Sequence, residues 1–181
     1  MEFRIKKKRI DDLISLLIQL RESEFSNMFS MERYVGVMCD GHIYERNFDT
    51  FESFLFYSKI DTCETFKCIV GNAIKLDNSI NLKNYFCYGN FDYKRWASDF
   101  FGINTSRFNC MKYSSVEFSE YWFLFSNVYS YFNNSIDGAI QRIEYYIEKI
   151  EEKGFFEFSD CIDFYKENKM YGILSFYVLN F

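Results

Sequence analysis

The stretch RYVGVMCDGHIYERNF, residues 33–48, decides the fold class because it predicts an antiparallel β-hairpin. On both sides of its centre, β-branched and aromatic residues alternate with polar ones, a pattern typical of half-buried strands. The centre is Asp40-Gly41, a dipeptide that accommodates the positive φ angles of a two-residue turn. His42, the only histidine of the chain, follows this turn directly.

His42 raises the question of chemistry, because histidine is a common general base and metal ligand. A general base needs a partner that orients it and a pocket for the substrate, and no recognisable Ser, Cys or Asp motif supplies them here. A single histidine also excludes multi-histidine metal sites. We therefore interpret His42 as the first residue of the second strand, and we expect no metal and no cofactor.

Further strands and helices are predicted on both sides of the hairpin. Upstream, residues 2–8 predict a short edge strand, and a helix that begins near Asp11 carries an apolar stripe on Ile10, Leu13, Ile14, Leu17 and Leu20. Downstream, Asp49 or Thr50 can cap a short helix. Residues 66–76 predict a strand with a bulge at Gly71-Asn72, and residues 84–90 predict a second strand. Residues 91–104 predict a helix that is capped at Asp92 and ends near Gly102.

The C-terminal half predicts two long helices and a final strand. Large apolar residues recur at helical spacing in the first helix, at Phe118, Trp122, Phe125, Tyr129 and Phe132. Ser135 can cap the second, which ends at Gly154 and has the inward stripe Ile136, Ala139, Ile140, Ile143, Ile147 and Ile150. Such a pair forms an αα-hairpin, or a homodimer through the first helix. Residues 172–181 would place apolar side chains on both faces of a strand, as in a strand that is covered on both sides.

Together these patterns predict an α+β fold in a single globular domain, residues 1–181. A small, mostly antiparallel sheet, which includes the Asp-Gly hairpin and the C-terminal buried strand, packs against several helices. The C-terminal half contributes the αα-hairpin. The 23 Phe and 15 Tyr, with no Pro, match the codon bias of an A/T-rich genome, so we interpret them as core residues rather than as ligand-stacking groups.

Cysteine usage and the N-terminal residues predict a cytoplasmic protein. Cysteines occur at 39, 63, 68, 87, 110 and 161, without a Cys-x-x-Cys pair. Two aspartates, Asp11 and Asp12, head the first apolar stretch, and no small-residue cleavage site follows, so it does not resemble a signal peptide. Reduced, buried thiols are expected. The most apolar run, residues 121–132, is too short and too interrupted to cross a membrane.

The charge balance favours a basic partner. A formal net charge of -5 and a pI near 5.0 repel nucleic acid and anionic membranes, so we expect neither as a direct partner. The one basic run, Lys6 to Arg9, is followed by Asp11 and Asp12, which partly cancel it. It is interpreted as a solvated strand end, with a phosphate contact as the alternative.

The helix predicted at residues 136–153 is segregated by charge sign. At 100° per residue, Glu144, Glu148, Glu151 and Glu152 lie on one flank of its apolar stripe, and Arg142, Lys149 and Lys153 on the other. Three further acidic residues, Glu157, Asp160 and Asp163, follow this helix. This pattern is ordinary for a solvated helix face, but it also predicts an acidic docking surface, with Tyr145 and Tyr165 as exposed aromatic anchors.

These observations favour a binding protein over an enzyme. Motifs for phosphate loops, dinucleotide binding, nucleophile elbows and zinc proteases are all missing. The leading hypothesis is a cytoplasmic inhibitor of the immunity type from a bacterial or phage conflict system, which sterically blocks a basic toxin or nuclease. The alternatives are a phage anti-defence, anti-CRISPR-like inhibitor, a carboxylate- or cysteine-based enzyme that could use His42, and a structural homodimer.

Overall fold

The computed structural model describes residues 5–31, 35–39, 42–45, 48–59, 65–106 and 119–173, and it is an α+β fold as predicted. Its helices are α1 (Lys7–Glu22), α2 (Phe51–Lys59), α3 (Ile69–Ala73), α4 (Tyr93–Phe101), α5 (Glu120–Phe125), α6 (Tyr129–Phe132), α7 (Ile136–Lys153) and α8 (Phe158–Glu167). One sheet consists of β1 (Val35–Cys39), β2 (His42–Glu45) and β3 (Thr65–Lys67), and a second of β4 (Phe86–Cys87) and β5 (Asn90–Phe91).

The predicted Asp-Gly hairpin forms. β1 pairs antiparallel with β2 in a register that sets Cys39 opposite His42, so two residues connect the strands. β1 is central, because β3 pairs antiparallel with its other edge. His42 therefore begins the second strand as expected, and its side chain lies outside the described residues.

The strand predicted at residues 66–76 is correct only at its start. After β3 the chain turns into α3 and a 3-10 helix (Ile74–Leu76), so Gly71-Asn72 lies in a helix and not in a bulge. The side-chain amide of Asn72 donates to the carbonyl oxygens of Lys67 at 3.1 Å and Cys68 at 3.0 Å. These bonds satisfy the carbonyls that a strand would have paired, and they stabilise the turn into the helix.

The strand predicted at residues 84–90 is in fact a 3-10 helix (Ile80–Tyr85) followed by the hairpin of β4 and β5. Tyr88 and Gly89 form its two-residue turn, with φ angles of 50° and 81°. Tyr88 is 98% exposed. The fold therefore holds a non-glycine residue in the left-handed region at a position where its side chain buries almost no surface.

Tyr88→Asn is expected to raise the free energy of unfolding by up to about 1 kcal/mol, because Asn tolerates positive φ better than Tyr. Urea denaturation of the two proteins measures the difference. Gly89→Ala is the opposite control: its Cβ would strain a φ of 81° and lie 3.1 Å from the carbonyl oxygen of Phe48. A Tyr88→Asn protein less stable than the wild type would contradict this account of the turn.

The edge strand predicted at residues 2–8 is wrong where the structure describes it, because α1 begins at Lys7 and not near Asp11. The basic run instead meets the C-terminal end of α4. The Lys6 ammonium donates to the Asp99 carbonyl at 2.5 Å, and the Arg9 guanidinium donates to the Phe100 carbonyl at 2.7 Å. Cations at this end of a helix satisfy its last carbonyls and its dipole.

α1 and α7 pack antiparallel, and this contact is the main helix pair of the described chain. An ion pair joins Lys7 to Glu151 at one end, and at the other the Arg21 guanidinium lies 2.8 Å from Asp137. The apolar stripe of α1 is largely buried as predicted: Ile10, Leu13, Leu17 and Leu20 are buried and Ile14 is partly buried.

The first arm of the predicted αα-hairpin is broken. α5 ends at Phe125, the backbone of Ser126 is extended, and α6 adds only four residues. The Ser126 hydroxyl accepts from the Val128 amide at 3.2 Å, which stabilises the break locally. The second arm is confirmed: Ser135 caps α7, and Gly154 ends it at a φ of 81°. Phe118, the first residue of the predicted first arm, lies outside the described residues.

The C-terminal strand predicted at residues 172–181 does not begin at Gly172, because Tyr171–Ile173 are helical. Residues 174–181 lie outside the described residues.

Aromatic side chains supply much of the core. Phe54 of α2 is fully buried and lies against a cluster of rings, with centroid distances of 4.4 Å to Phe91, 5.3 Å to Phe48 and 5.6 Å to Phe86. Phe91 extends this cluster to Trp96 of α4 at 6.1 Å. Among the helices the structure describes, none is both long and apolar enough to cross a bilayer.

Candidate functional site

The exposed face of α7 is acidic. Every exposed side chain of this helix except Gln141 is a carboxylate, and we define the acidic ridge as Asp137, Glu144, Glu148, Glu151 and Glu152. At 100° per residue they lie within an arc of about 100°, opposite the buried side of the helix. The prediction that Glu144, Glu148, Glu151 and Glu152 share one exposed face is confirmed.

Four of the ridge carboxylates line a shallow groove. Glu144, Glu148, Glu151 and Glu152 surround partly buried Ile147 in a depression of about 410 Å³. A groove with acidic walls and one aliphatic side chain can contact both the ammonium group and the methylene stem of a lysine, or the corresponding parts of an arginine.

Cations at the two borders neutralise part of the ridge. From α1, Lys7 pairs with Glu151 and Arg21 with Asp137. From the other border, the Lys149 ammonium lies 2.9 Å from Glu152 and 3.8 Å from Glu148. The hydrogen bond from Lys149 lowers the pKa of Glu152. Glu144 pairs with no cation among the described residues, so the negative potential is least compensated near Glu144 and Glu148.

The predicted basic flank of α7 is wrong in part. Lys149 bonds to the acidic ridge instead of facing away from it. Lys153 pairs with Glu157 at 3.2 Å and Asp160 at 2.7 Å. Arg142 has no exposed surface at all. The helix is therefore an acidic ridge with bordering cations rather than two opposed charged flanks.

The acidic residues that follow α7 have mixed placements. Glu157 is exposed but forms a capping box with Asp160 at the start of α8, in which the Glu157 amide donates to Asp160 at 2.8 Å. Asp160 is 5% exposed, so its carboxylate is committed to this cap and to Lys153. Asp163 is exposed. Of the three, only Glu157 and Asp163 remain accessible to a partner.

The two tyrosines proposed as exposed anchors are not equivalent. Tyr145 is partly buried, and its hydroxyl donates to the Asp160 carbonyl at 3.1 Å. Burial raises the pKa of Tyr145. Tyr165 is fully buried, so its expected exposure is wrong. It lies on the same side of α8 as Cys161 and Phe164, which are also buried, because residues three and four apart share a helix face.

Sequence patterns did not reveal the buried polar groups. Glu120 is 8% exposed and accepts from the Asn104 amide at 2.7 Å and the Tyr146 hydroxyl at 2.8 Å. Asp77 is 6% exposed and accepts from the Trp96 indole at 2.8 Å. These partners are far apart along the sequence, so no local motif could have found them.

The residues considered for catalysis are only partly described. Cys68 and Cys161 are buried as expected, whereas Cys87 is exposed, so its expected burial is wrong. In the segments that the structure describes, no group of three His, Cys, Asp or Glu residues could hold a metal ion. No protein-family model, curated protein or solved structure matches this chain.

Proposed function

We propose that this protein is an inhibitor of the immunity type, which binds a basic toxin or nuclease through its acidic ridge and blocks it sterically. The observation that carries the proposal is the exposed face of α7, on which all charged residues are carboxylates. A toxin or nuclease that acts on an anionic substrate carries basic residues at its own site, and these are complementary to such a face.

The charges of the ridge support fast association. Five carboxylates face two α1 cations and Lys149 at the borders, so the surface keeps an excess of negative charge. Long-range attraction from such a surface raises the association rate with a basic protein, and salt screens it. Pairs such as Lys7–Glu151 also hold two side chains in place before binding, which lowers the entropic cost of ordering them.

The accessible part of the predicted contact surface is narrower than the set predicted from sequence. From that set, the four glutamates of the ridge, Glu157, Asp163 and the edge of Tyr145 remain as contact residues, and the structure adds the exposed Asp137 of the ridge. Asp160 and Tyr165 are structural, since one caps α8 and the other is buried in the core. We place the centre of the contact at Glu144 and Glu148, where cations compensate the charge least.

The double substitution Glu144→Lys/Glu148→Lys is expected to slow association with the partner by about tenfold or more at low salt, with a smaller change in dissociation. The partner is first identified as a basic protein that co-purifies at one-to-one stoichiometry at low salt and is released at high salt. Stopped-flow association at several salt concentrations then gives the rates, and an activity assay of the partner reports inhibition.

A matched control is Asp49→Lys/Glu52→Lys, which makes the same change in net charge at two exposed positions beside and within α2. It should alter the association rate by no more than about twofold at moderate salt. Equal slowing by both variants would show that only net charge matters. An unchanged rate and unchanged inhibition in the ridge variant would refute the ridge as the contact surface.

A further inference from the structure

The interior of the described chain contains a cation without a hydrogen-bonded partner. Arg142 lies on the inner side of α7, opposite the acidic ridge, and has no exposed surface. Its Nε, Nη1 and Nη2 atoms are all buried and donate to no described residue. A buried charge is strongly unfavourable unless it is paired and hydrogen-bonded, and a guanidinium has five N–H groups to satisfy.

The carboxylates that could have paired with Arg142 are committed elsewhere. Of the buried acids that the structure describes, Glu120 accepts from Asn104 and Tyr146, and Asp77 accepts from Trp96 and Ser79. Asp160 is held by Lys153 and by the cap of α8. No buried carboxylate of the described fold therefore supplies the missing negative charge.

Two tyrosines adjoin the guanidinium. Its carbon lies 3.6 Å from the centroid of the Tyr129 ring, a cation–π contact that covers one face of the group but leaves its N–H donors unused. The Tyr129 hydroxyl lies 2.9 Å from that of Tyr165, and both rings are fully buried. One hydroxyl donates to the other, which leaves the second hydroxyl proton as a further donor.

This cluster of Arg142, Tyr129 and Tyr165 thus has an excess of donors and a positive charge. We propose that it binds a small trigonal oxyanion, a carboxylate or an inorganic equivalent. The planar fork of a guanidinium matches the two oxygens of such an anion, and a tyrosyl hydroxyl can donate to one of them. The three residues come from α7, α6 and α8, so the anion links the short helix after the break at Ser126 to the two helices beside it.

The test measures thermal unfolding of the full chain in sodium formate, sodium nitrate and sodium chloride at equal ionic strength. Each sample is equilibrated for a long time, because a fully buried site opens only when the surrounding helices move. Near a concentration 100-fold above the Kd, formate or nitrate should raise the Tm by roughly 5–10 °C over chloride. A rise with formate alone identifies a carboxylate site, and a rise with both anions identifies a general oxyanion site.

Arg142→Met should abolish that rise, since it roughly keeps the side-chain volume and removes the charge. Arg9→Met is the matched control, because Arg9 also stacks on a ring, Phe100 at 4.3 Å, but is only part-buried. Its response to formate should equal that of the wild type. Tyr165→Phe, which removes one donor, should weaken formate binding several-fold and provides the second variant if Arg142→Met does not fold.

Two results would overturn the site. One is a wild-type Tm that is the same in all three salts. The other is a Tm rise that persists at full size in Arg142→Met or, where that protein does not fold, in Tyr165→Phe. Calorimetric titration of the wild type with formate checks the stoichiometry, which should be one anion per chain.

Discussion

Phe54→Ala is expected to lower the free energy of unfolding by about 3–5 kcal/mol. Phe54 is fully buried, and its ring stacks on Phe91 at 4.4 Å between α2 and the β4–β5 hairpin. Its removal leaves a cavity that the neighbouring rings can fill only in part. It also removes several aromatic contacts at once, each worth about 0.5–1.5 kcal/mol beyond the buried area.

Chemical denaturation followed by tryptophan fluorescence measures this change, because Trp96 adjoins the same cluster through Phe91. Phe56→Ala is the matched control, since Phe56 lies on the same helix but is 57% exposed. It should cost less than about 1 kcal/mol. Similar losses in the two variants would show that α2 does not pack as described.

Glu120→Ala is expected to cost about 2–5 kcal/mol, because it leaves one buried and one partly buried donor without an acceptor. These donors are the Asn104 amide, at 2.7 Å, and the Tyr146 hydroxyl, at 2.8 Å. Glu120→Gln keeps an acceptor oxygen and should cost clearly less. Glu144→Ala controls for the loss of a glutamate on an exposed helix face and should change stability by no more than about 0.5 kcal/mol.

Glu120 also gives the fold a defined dependence on pH. Burial raises the pKa of Glu120 above its usual 4.5, although the bonds from Asn104 and Tyr146 oppose the rise. The folded state therefore holds the proton more tightly than the unfolded state, so stability falls as pH rises from 4.5 through the folded-state pKa and then levels off. The stability of Glu120→Gln relative to wild type should increase over that window. A difference that is constant from about pH 4.5 to about pH 8 would contradict a raised pKa.

The sequence predicts the elements whose ends are determined by neighbouring residues. Asp40-Gly41 marks the hairpin, Asp92 and Gly102 bound α4, and Ser135 and Gly154 bound α7. In both helices the caps bond to backbone within a few residues, as when the Ser135 hydroxyl accepts from the Gly138 amide at 3.0 Å. The acidic ridge is predicted for the same reason, since a helical period alone places its glutamates on one face.

Features that depend on distant partners are not predicted. The basic run at residues 6–9 has the pattern of a strand end, and nothing nearby indicates that α4 will present its carbonyls there. The aromatic residues from 118 to 132 keep the spacing of a single helix across Ser126. This spacing gives no sign that the helix breaks there into α5 and α6. Arg142 lies on the charged flank of α7 in a helical projection, and only the packing of α6, α7 and α8 shows that it is buried.

The pairing of α1 with α7 has a consequence for synthesis on the ribosome. Leu13 and Leu17 are buried in the folded protein, yet their helix packs on residues more than a hundred positions later in the chain. At about 5–20 residues per second, the nascent chain exposes this apolar stripe for on the order of ten seconds before α7 has been made. The packing of α1 is therefore completed only after most of the chain has been translated.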